Sequence, residues 1–327
     1  MLQRVKIVPL AAESLGVRSM CTYVETPDVQ LLLDAGVSLC PNRFRLPPHP
    51  KEFEAIMEAR EKIGEAAGKA VVVTLSHYHF DHHTPSYEDW LCNWTAANET
   101  ATQIYRGKTV LLKNPREKIN FSQRRRAWMF QKTAGKTAEK LVVADGKTFV
   151  FNETHVKFSE PVFHGARDTA LGWVLMTTVE YRNEKFMHAP DVQGPMCQET
   201  LRIILEEKPD MLMIGGPPLY LAGFRVDPHE ISVAVKNLER LASEVPTMIL
   251  EHHVLRDPEW RQKLSGVFEA AEKAGHAVLT AAEFLGEENR FYEAFRKSLY
   301  REYPPSKEFE KWMRLSRVKK RLVKPPV

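Results

Sequence analysis

Apolar residues fall into short runs along most of the chain, and their spacing predicts a mixed α/β protein. Residues 29–36 and 69–76 are rich in Leu and Val and predict buried strands. Between them, residues 49–69 place apolar positions at helical spacing, with Pro50 near the start, which predicts an amphipathic helix.

The segment 84–140 lacks this regular pattern. It is polar and rich in Trp, Asn and Arg, and it predicts helices and loops that form an insertion or a lid. Strand-like runs return at 140–151, 155–163 and 171–181, and from residue 185 strands alternate with helices. A β-rich first part followed by a βαβα passage predicts two sheets covered by helices, a layered α/β architecture.

Length and composition describe a soluble globular protein. The chain has 327 residues, of which 43% are hydrophobic and 27% charged, so disordered and membrane-embedded classes are disfavoured. The formal net charge of +4 falls short of that of a dedicated nucleic-acid binder. We expect one domain over residues 1–280, with 84–140 as its helical insertion or lid, and a basic, helical tail over 281–327.

The cysteines and the N-terminus predict a cytoplasmic location. Cys21, Cys40, Cys92 and Cys197 are scattered without a C-x-x-C pair, which argues against a disulfide framework or a zinc ribbon. The N-terminal apolar run is too short for a secretory signal, and the uncharged stretch 211–224 is too short to span a bilayer. We expect no membrane association, and the oligomeric state stays open.

A histidine-rich motif follows the second strand-like run. Residues 76–85 read SHYHFDHHTP, and His77, His79, Asp81 and His82 form an H-x-H-x-D-H pattern within them. Imidazoles two residues apart on a loop leaving a strand can converge on one cation, and the aspartate and the next histidine can face a second. These ligand types suit zinc and also iron or manganese. The pattern therefore predicts a metal site.

One loop cannot fill two coordination shells, so we expect further ligands just after other strand-like runs. His164, Asp191, His252 and His253 have such positions. A carboxylate such as Asp191 could bridge two cations. Asp34, at the end of its own strand, could orient a ligand histidine through a hydrogen bond.

The adjacent His252 and His253 are alternatives for one ligand position. Neighbouring side chains in an extended strand point to opposite faces, so only one of the two is expected to bind metal. We favour His253, which lies further out at the strand's end. For His83 we expect a supporting role beside the ligands.

This ordered set of motifs resembles the metallo-β-lactamase-fold superfamily from about residue 5 to 275. More narrowly, stretches that include 14–20, 76–85, 119–127, 191–195 and 252–257 resemble an archaeal family of predicted metal-dependent hydrolases within that superfamily. The resemblance implies a four-layer αββα sandwich of the α/β class.

The same resemblance implies a binuclear centre, expected to hold two Zn²⁺ per chain. One cation would be bound by His77, His79 and His164. The other would be bound by Asp81, His82 and a histidine of the last motif, with Asp191 between the two.

The resemblance further implies hydrolysis, because two cations sharing a hydroxide supply a nucleophile at neutral pH. An ester or phosphoester is the favoured small-molecule substrate. Asp81 and Asp191 are candidates for orienting the hydroxide and taking up a proton. Tyr78, between two ligands, is a candidate oxyanion donor, and a tyrosine packed beside the site is an equally good interpretation.

Residues 119–128, INFSQRRRAW, offer candidate substrate contacts. Arg124, Arg125 and Arg126 could bind phosphates of a substrate, whereas a solvated helix face is the alternative interpretation of such a run. Asn120 and Gln123 could be pocket donors or helix surface.

Three functions stay open at this point. The first is a metal-dependent hydrolase of a small ester or phosphoester. The second is a metal-dependent nuclease acting on RNA or DNA, with the arginine run and the basic tail holding phosphates. The third is a mononuclear iron oxygenase or a non-catalytic binding module. The completeness of the ligand set favours a hydrolase.

Overall fold

The computed structural model describes residues 2–327 and contains two large mixed sheets. The first sheet has six strands in chain order, in which the first two pairings are antiparallel and the last three are parallel. They are β1 (Lys6–Ala12), β2 (Met20–Glu25), β3 (Gln30–Leu33), β4 (Val72–Leu75), β5 (Thr109–Leu112) and β6 (Lys140–Val143).

The second sheet is built from the later part of the chain. The strands from residue 148 onward are β7 (Thr148–Phe151), β8 (Thr154–Phe158), β9 (Val162–Phe163), β10 (Trp173–Val174), β11 (Thr177–Tyr181), β12 (Glu184–Ala189), β13 (Met211–Gly215), β14 (Thr247–Glu251) and β15 (Ala277–Leu279). β9 and β10 form a separate pair, and the other seven have the order β15-β14-β13-β12-β11-β8-β7. β12 to β15 are parallel, as the βαβα pattern requires.

Helices connect the strands and cover the outer faces of the sheets. They are α1 (Pro50–Lys69), α2 (Ala97–Tyr105), α3 (Phe121–Lys132), α4 (Gln198–Glu207), α5 (Pro228–Glu244), α6 (Trp260–Lys263), α7 (Ser265–Ala274), α8 (Ala281–Leu285), α9 (Arg296–Glu302), α10 (Lys307–Met313) and α11 (Arg317–Leu322). α1 begins with Pro50 after a capping box between His49 and Glu52.

Alternation along the strands explains why the layers stack. In β3, Leu31 and Leu33 pack with residues of the second sheet such as Phe186, whereas Leu32 packs with helix residues such as Ile56. Successive side chains of a strand point to opposite faces, so each sheet buries one face against the other sheet and one against helices. The predicted four-layer αββα sandwich is confirmed.

Two local expectations need correction. Residues 140–151, expected as one strand-like run, form β6 in the first sheet and β7 in the second, separated by a turn. The segment 84–140, expected to be a helical insertion or lid, contains α2 and α3 but also β5, which lies inside the first sheet. A four-residue strand between two helices leaves too short a period-2 pattern to be recognised.

The C-terminal residues lie against the body of the fold. Arg296 is fully buried and donates to both carboxylate oxygens of Glu52 at 2.7 and 2.6 Å, and to the carbonyls of Cys40 and Leu46. Phe309 and Trp312 of α10 pack on the ring of Phe53 in α1. We propose that residues 281–327 fold together with the sandwich. Within residues 2–327, no helix has the length and apolar character needed to cross a membrane.

We predict that Arg296→Met destabilises the protein by about 4 kcal/mol, because it leaves the Glu52 carboxylate buried without its partner. Chemical denaturation followed by circular dichroism measures the change. Arg301→Met is the matched control, since Arg301 pairs with Glu302 in an exposed position and its loss should change stability by less than about 1 kcal/mol. Equal effects of the two substitutions would contradict the docked C-terminal segment.

Candidate metal centre

The strand ends bring the predicted site residues to one edge of the two sheets. His77 follows β4, Asp191 follows β12 and His252 follows β14. The carboxyl ends of parallel strands lie at the same edge, so these side chains meet there. Asp34, Asp191 and His252 have positive φ angles of 50°, 53° and 68°. Left-handed backbone at non-glycine residues is uncommon, and at these three positions it turns side chains towards the site.

Asp191 is the centre of the cluster. Its carboxylate is buried, and six imidazoles lie within 4.0 Å of its two oxygens, with Nδ1 of His79 the most distant at 4.0 Å. The Nε2 atoms of His164, His77 and His82 lie 2.8, 3.2 and 3.3 Å from Oδ2, and the Nε2 atoms of His252 and His253 lie 3.0 and 3.2 Å from Oδ1.

The ligand-type atoms form four overlapping groups, and the atoms of each group lie within 4.8 Å of one another; two of these groups share no residue and together contain most of the cluster. These two groups are His77, His79, His164 and Asp191, and Asp81, His82 and His252. Among the described residues, His82 Nε2, His164 Nε2 and Asp191 Oδ1 are buried polar atoms without a hydrogen-bond partner. Buried polar atoms are almost always satisfied, so this arrangement fits cations coordinated between the groups.

Oxygen atoms behind the histidines orient their rings. Asp34 lies 2.8 Å from Nδ1 of His82 and accepts from the backbone N–H and the hydroxyl of Ser76. The Ser76 hydroxyl lies 3.0 Å from Nδ1 of His77. An oxygen acceptor on Nδ1 leaves the Nε2 lone pair free for a metal, which is how metal-binding histidines are commonly held. The geometry thus agrees with the supporting role expected for Asp34.

A close backbone approach fixes the loop that carries the motif. A side chain on Gly36 would collide with the backbone of His83. The Asp34-Ala35-Gly36 turn therefore rests directly on residues 82 and 83, and only glycine fits there.

The cluster attracts positive charge. Burial works against a charge on His82, but Asp191 and Asp34 raise its pKa to about 10. The pKa of His252 is likewise raised well above its usual value by Asp191 and Glu13 against burial. Burial, together with the charge on His82, holds the pKa of His77 well below its usual value. Some imidazoles therefore carry protons at neutral pH where cations would bind.

The last motif differs from the expectation drawn from an extended strand. β14 ends at Glu251, and His252 and His253 begin a 3₁₀ turn, so both rings face the site with centroids 4.5 Å apart. His252 joins Asp81 and His82, with its Nε2 3.5 Å from Asp81 Oδ2. His253, the favoured ligand, groups only with Asp191 and His252. The geometry favours His252 for the second group.

Tyr78 and His83 are used structurally. The Tyr78 hydroxyl is buried and donates to the carbonyl of Lys113 at 2.6 Å, so it is turned away from the cleft. The proposed oxyanion role of Tyr78 is therefore corrected to packing. His83 Nδ1 lies 2.9 Å from the carbonyl of His79 and steadies that loop. Burial lowers the pKa of His83 to about 4, which keeps it neutral.

The 119–128 segment reaches the site through one residue. Arg126 lines the cleft and stacks 4.7 Å above the ring of Phe80. Arg124 and Arg125 are exposed on the outer surface of α3. Asn120 caps α3, and it and Gln123 donate to the carbonyl of Leu171 at 2.8 Å. Those two residues hold the loop at 171 and do not point into the cleft as free donors.

Sequence reasoning missed the carboxylates that hold the cleft arginines. Arg256 donates to Glu13, and Arg18 donates to both oxygens of Glu293 at 2.6 and 2.7 Å. Each partner is more than 200 residues away in sequence, so no local pattern reports the pairing. Arg18, Arg126 and Arg256 line a cleft of about 380 Å³ together with His79, Asp81, His164, Asp191 and His253.

Solved structures with a similar chain path share little sequence with this protein. Tm1679, described as a metal-dependent hydrolase of the β-lactamase superfamily, is 12% identical with a TM-score of 0.45, covering 84% of this chain and 95% of that one. Zn²⁺-bound PqqB from Methylobacterium extorquens is 12% identical with a TM-score of 0.45, covering 84% and 97%. At these scores the likeness carries no argument about chemistry. No family model matches the chain.

Sequence relatives are much closer. A UPF0282 protein of Methanopyrus kandleri is 47% identical over 298 residues, which cover 90% of this chain and 98% of the relative. UPF0282 proteins of Methanocaldococcus jannaschii and Thermococcus sibiricus are each 42% identical, covering 90% of this chain and 96% and 94% of the relatives. Identity at this level over nearly the whole length means that the chain belongs to the UPF0282 family of archaeal proteins.

Proposed function

We propose that this protein is a metal-dependent hydrolase with a binuclear centre that cleaves a small, negatively charged ester or phosphoester. The observation that carries the proposal is the convergence of imidazole nitrogens on the buried carboxylate of Asp191, with several of those atoms lacking any other partner. Zn²⁺ is the expected ion, and iron or manganese are alternatives that the same ligands accept.

We assign the ligands by group. His77, His79 and His164 would hold one cation, Asp81, His82 and His252 would hold the other, and the carboxylate of Asp191 is near both groups. When bound, such a pair of cations lowers the pKa of water towards neutrality and polarises a substrate oxygen.

Asp81 is placed to orient the attacking water. Burial raises its pKa, but His252 and His82 outweigh this and hold the pKa well below the usual range, so the carboxylate is ionised at neutral pH. It lines the cleft and is partly exposed, with 16% of its side chain accessible. An ionised carboxylate in this position would accept a hydrogen bond from a water molecule, and this hydrogen bond would direct a lone pair of the water oxygen towards the substrate.

The substrate class follows from the charge balance of the cleft. Arg18 is neutralised by Glu293 and Arg256 by Glu13. Among residues 2–327, no carboxylate pairs with the third arginine of the cleft, Arg126. A volume of about 380 Å³ suits a small molecule, and a guanidinium without a carboxylate partner suits an anionic group on that molecule. The four cysteines are free thiols, in keeping with the cytoplasmic location we propose.

The outer face of α3 favours a second candidate, a nuclease. Phe121 and Trp128 are 83% and 55% exposed, and the exposed Arg124 and Arg125 lie between them on the same side of the helix. Aromatic rings that stack on bases, combined with arginines that contact phosphates, are typical of surfaces that bind single-stranded nucleic acid.

We predict that His79→Ala removes at least one bound cation per chain and lowers hydrolysis of bis-p-nitrophenyl phosphate at least about 100-fold. Mass spectrometry of the native protein and a colorimetric assay measure the two effects. His155→Ala, at an exposed position of β8, is the matched control and should change neither. Full metal retention by His79→Ala would contradict the ligand assignment.

We predict that zinc binding to the metal-free protein at pH 7 releases protons, because His82 has a pKa of about 10 and must lose its proton to coordinate. Calorimetry in buffers of different ionisation enthalpy measures the number released. Affinity for zinc should accordingly weaken as the pH falls. Binding without proton release would exclude His82 as a ligand.

We predict that Arg126→Met raises KM for a small phosphodiester at least about tenfold, the loss expected for one charge-assisted hydrogen bond. Arg125→Met is the control on the exposed face. For a small-molecule hydrolase only Arg126→Met weakens binding. If single-stranded RNA is cleaved and both substitutions weaken its binding, the nuclease is the better description.

A further inference from the structure

His253 differs from the other histidines of the cluster in what its second ring nitrogen meets. Its Nδ1 lies 3.0 Å from Nη1 of Arg256, and its Nε2 lies 3.2 Å from Oδ1 of Asp191, which also lines the cleft. Nε2 is also a buried polar atom with no hydrogen-bond partner among the described residues. The side chain of His253 is 14% exposed and lines the cleft.

The contact with Arg256 determines where the proton of His253 resides. A guanidinium has only N–H donors, no acceptor, and stays protonated in proteins. Nδ1 of His253 must therefore accept the hydrogen bond from Arg256. In a neutral imidazole one nitrogen accepts and the other carries the hydrogen, so Nε2 carries it. A protonated nitrogen has no lone pair to give to a cation.

Three of the histidines assigned as ligands, His77, His82 and His252, have an oxygen beside Nδ1, whereas Nδ1 of His79 itself faces the cluster, 3.0 Å from Nε2 of His77. Nδ1 of His82 faces the carboxylate of Asp34, and Nδ1 of His77 faces the hydroxyl of Ser76. Nδ1 of His252 lies 3.6 Å from Glu13 Oε2, itself an oxygen without another partner. Nη2 of Arg256 lies 3.5 Å from both ring nitrogens of His252, so it is not directed at the lone pair of Nδ1 in particular. These oxygens accept an N–H from Nδ1, so the neutral form of each ring has its lone pair on Nε2, and a proton lost on metal binding leaves from Nε2. The amide of Gln193 beside Nδ1 of His164 can present either its N–H or its oxygen.

Arg256 is held firmly enough to impose this tautomer. Its Nε donates to Glu13, and its side chain is 3% exposed. Glu13, Arg256 and His253 thus form a chain of hydrogen bonds that ends at the Nε2–H of His253, beside Asp191 in the wall of the cleft. The carboxylate fixes the guanidinium, and the guanidinium fixes the imidazole.

We propose that His253 is a catalytic residue that donates its Nε2–H to an oxygen of the substrate, and that it is not a metal ligand. The proposal rests on the proposed hydrolase function. The proton stays on Nε2 throughout, because a charged imidazolium would place a second N–H against the Arg256 guanidinium. A neutral imidazole can act as such an electrophile, and a fixed donor of this kind typically contributes a factor of about 100 to 1,000 to kcat.

The first test is the tautomer of His253 in the zinc-loaded protein. Selective ¹⁵N labelling of histidine and long-range ¹H–¹⁵N spectra identify which nitrogen carries the hydrogen, and comparison with the spectrum of His253→Gln assigns the signals. We expect Nε2 protonated and Nδ1 unprotonated. An unprotonated, zinc-coordinated Nε2 would overturn the proposal. This measurement needs no substrate, so it is independent of whether the protein proves to be a hydrolase.

The second test compares the two adjacent histidines. His253→Gln should keep the zinc content of the unchanged protein and lower kcat on bis-p-nitrophenyl phosphate about 100-fold, with KM altered less than about threefold. His252→Gln should lose one zinc per chain. Loss of zinc from His253→Gln would overturn the proposal, as would unchanged kcat. Two bound zinc ions without hydrolysis of any ester would instead count against the proposed function.

Discussion

A carboxylate buried where two sheets meet has to be compensated, and the compensation of Asp191 organises this site. Isolated buried charge is so unfavourable that it is found paired or bound to metal. Burial would raise the pKa of Asp191, yet His252, His164 and His82 hold it well below its usual range. The strands that end around Asp191 supply these histidines, and the left-handed backbone at Asp191 and His252 turns their side chains inward. The same strand ends that complete the two sheets therefore also supply the candidate ligands.

A second set of charged residues surrounds Asp191 and its histidines, and its members come from both ends of the chain. Glu13 precedes β2 and binds Arg256, while Glu293 lies beyond the last strand and binds Arg18. Burial raises the pKa of Glu293, but nearby arginines, Arg18 above all, lower it further than burial raises it. The Glu293 carboxylate is therefore ionised at neutral pH. Because Arg18 and Arg256 are each paired with a carboxylate, they hold neighbouring side chains in place and contribute little net charge for binding a ligand. The cleft thus owes its free charge to Arg126 and the metal centre.

The sequence revealed those parts of the fold and site whose determinants are local. The H-x-H-x-D-H motif places four ligand-type residues within six positions, and the β-branched run before it predicts β4, so both were recognisable. Pairings such as Glu13 with Arg256 join residues 243 positions apart and leave no periodic trace. The choice between His252 and His253 depended on whether the chain stays extended after Glu251. The burial of His252 and the turn of the backbone there depend on tertiary packing. Strand periodicity does not contain that information, and it favoured His253 instead.

Gly215, the last residue of β13, and Gly216 after it show that close packing at this edge restricts the sequence at positions without a chemical role. A side chain on Gly215 would approach the backbone nitrogen of Asp191 to 2.8 Å, and one on Gly216 would approach Cβ of Val254 to 2.6 Å. β13 lies between β12 and β14, so its end separates the turn of Asp191 from that of His252. Any larger residue would push these two turns apart, and the contact between Asp191 and His252 would lengthen. The glycines are therefore needed for the spacing of the centre, although neither offers it a ligand.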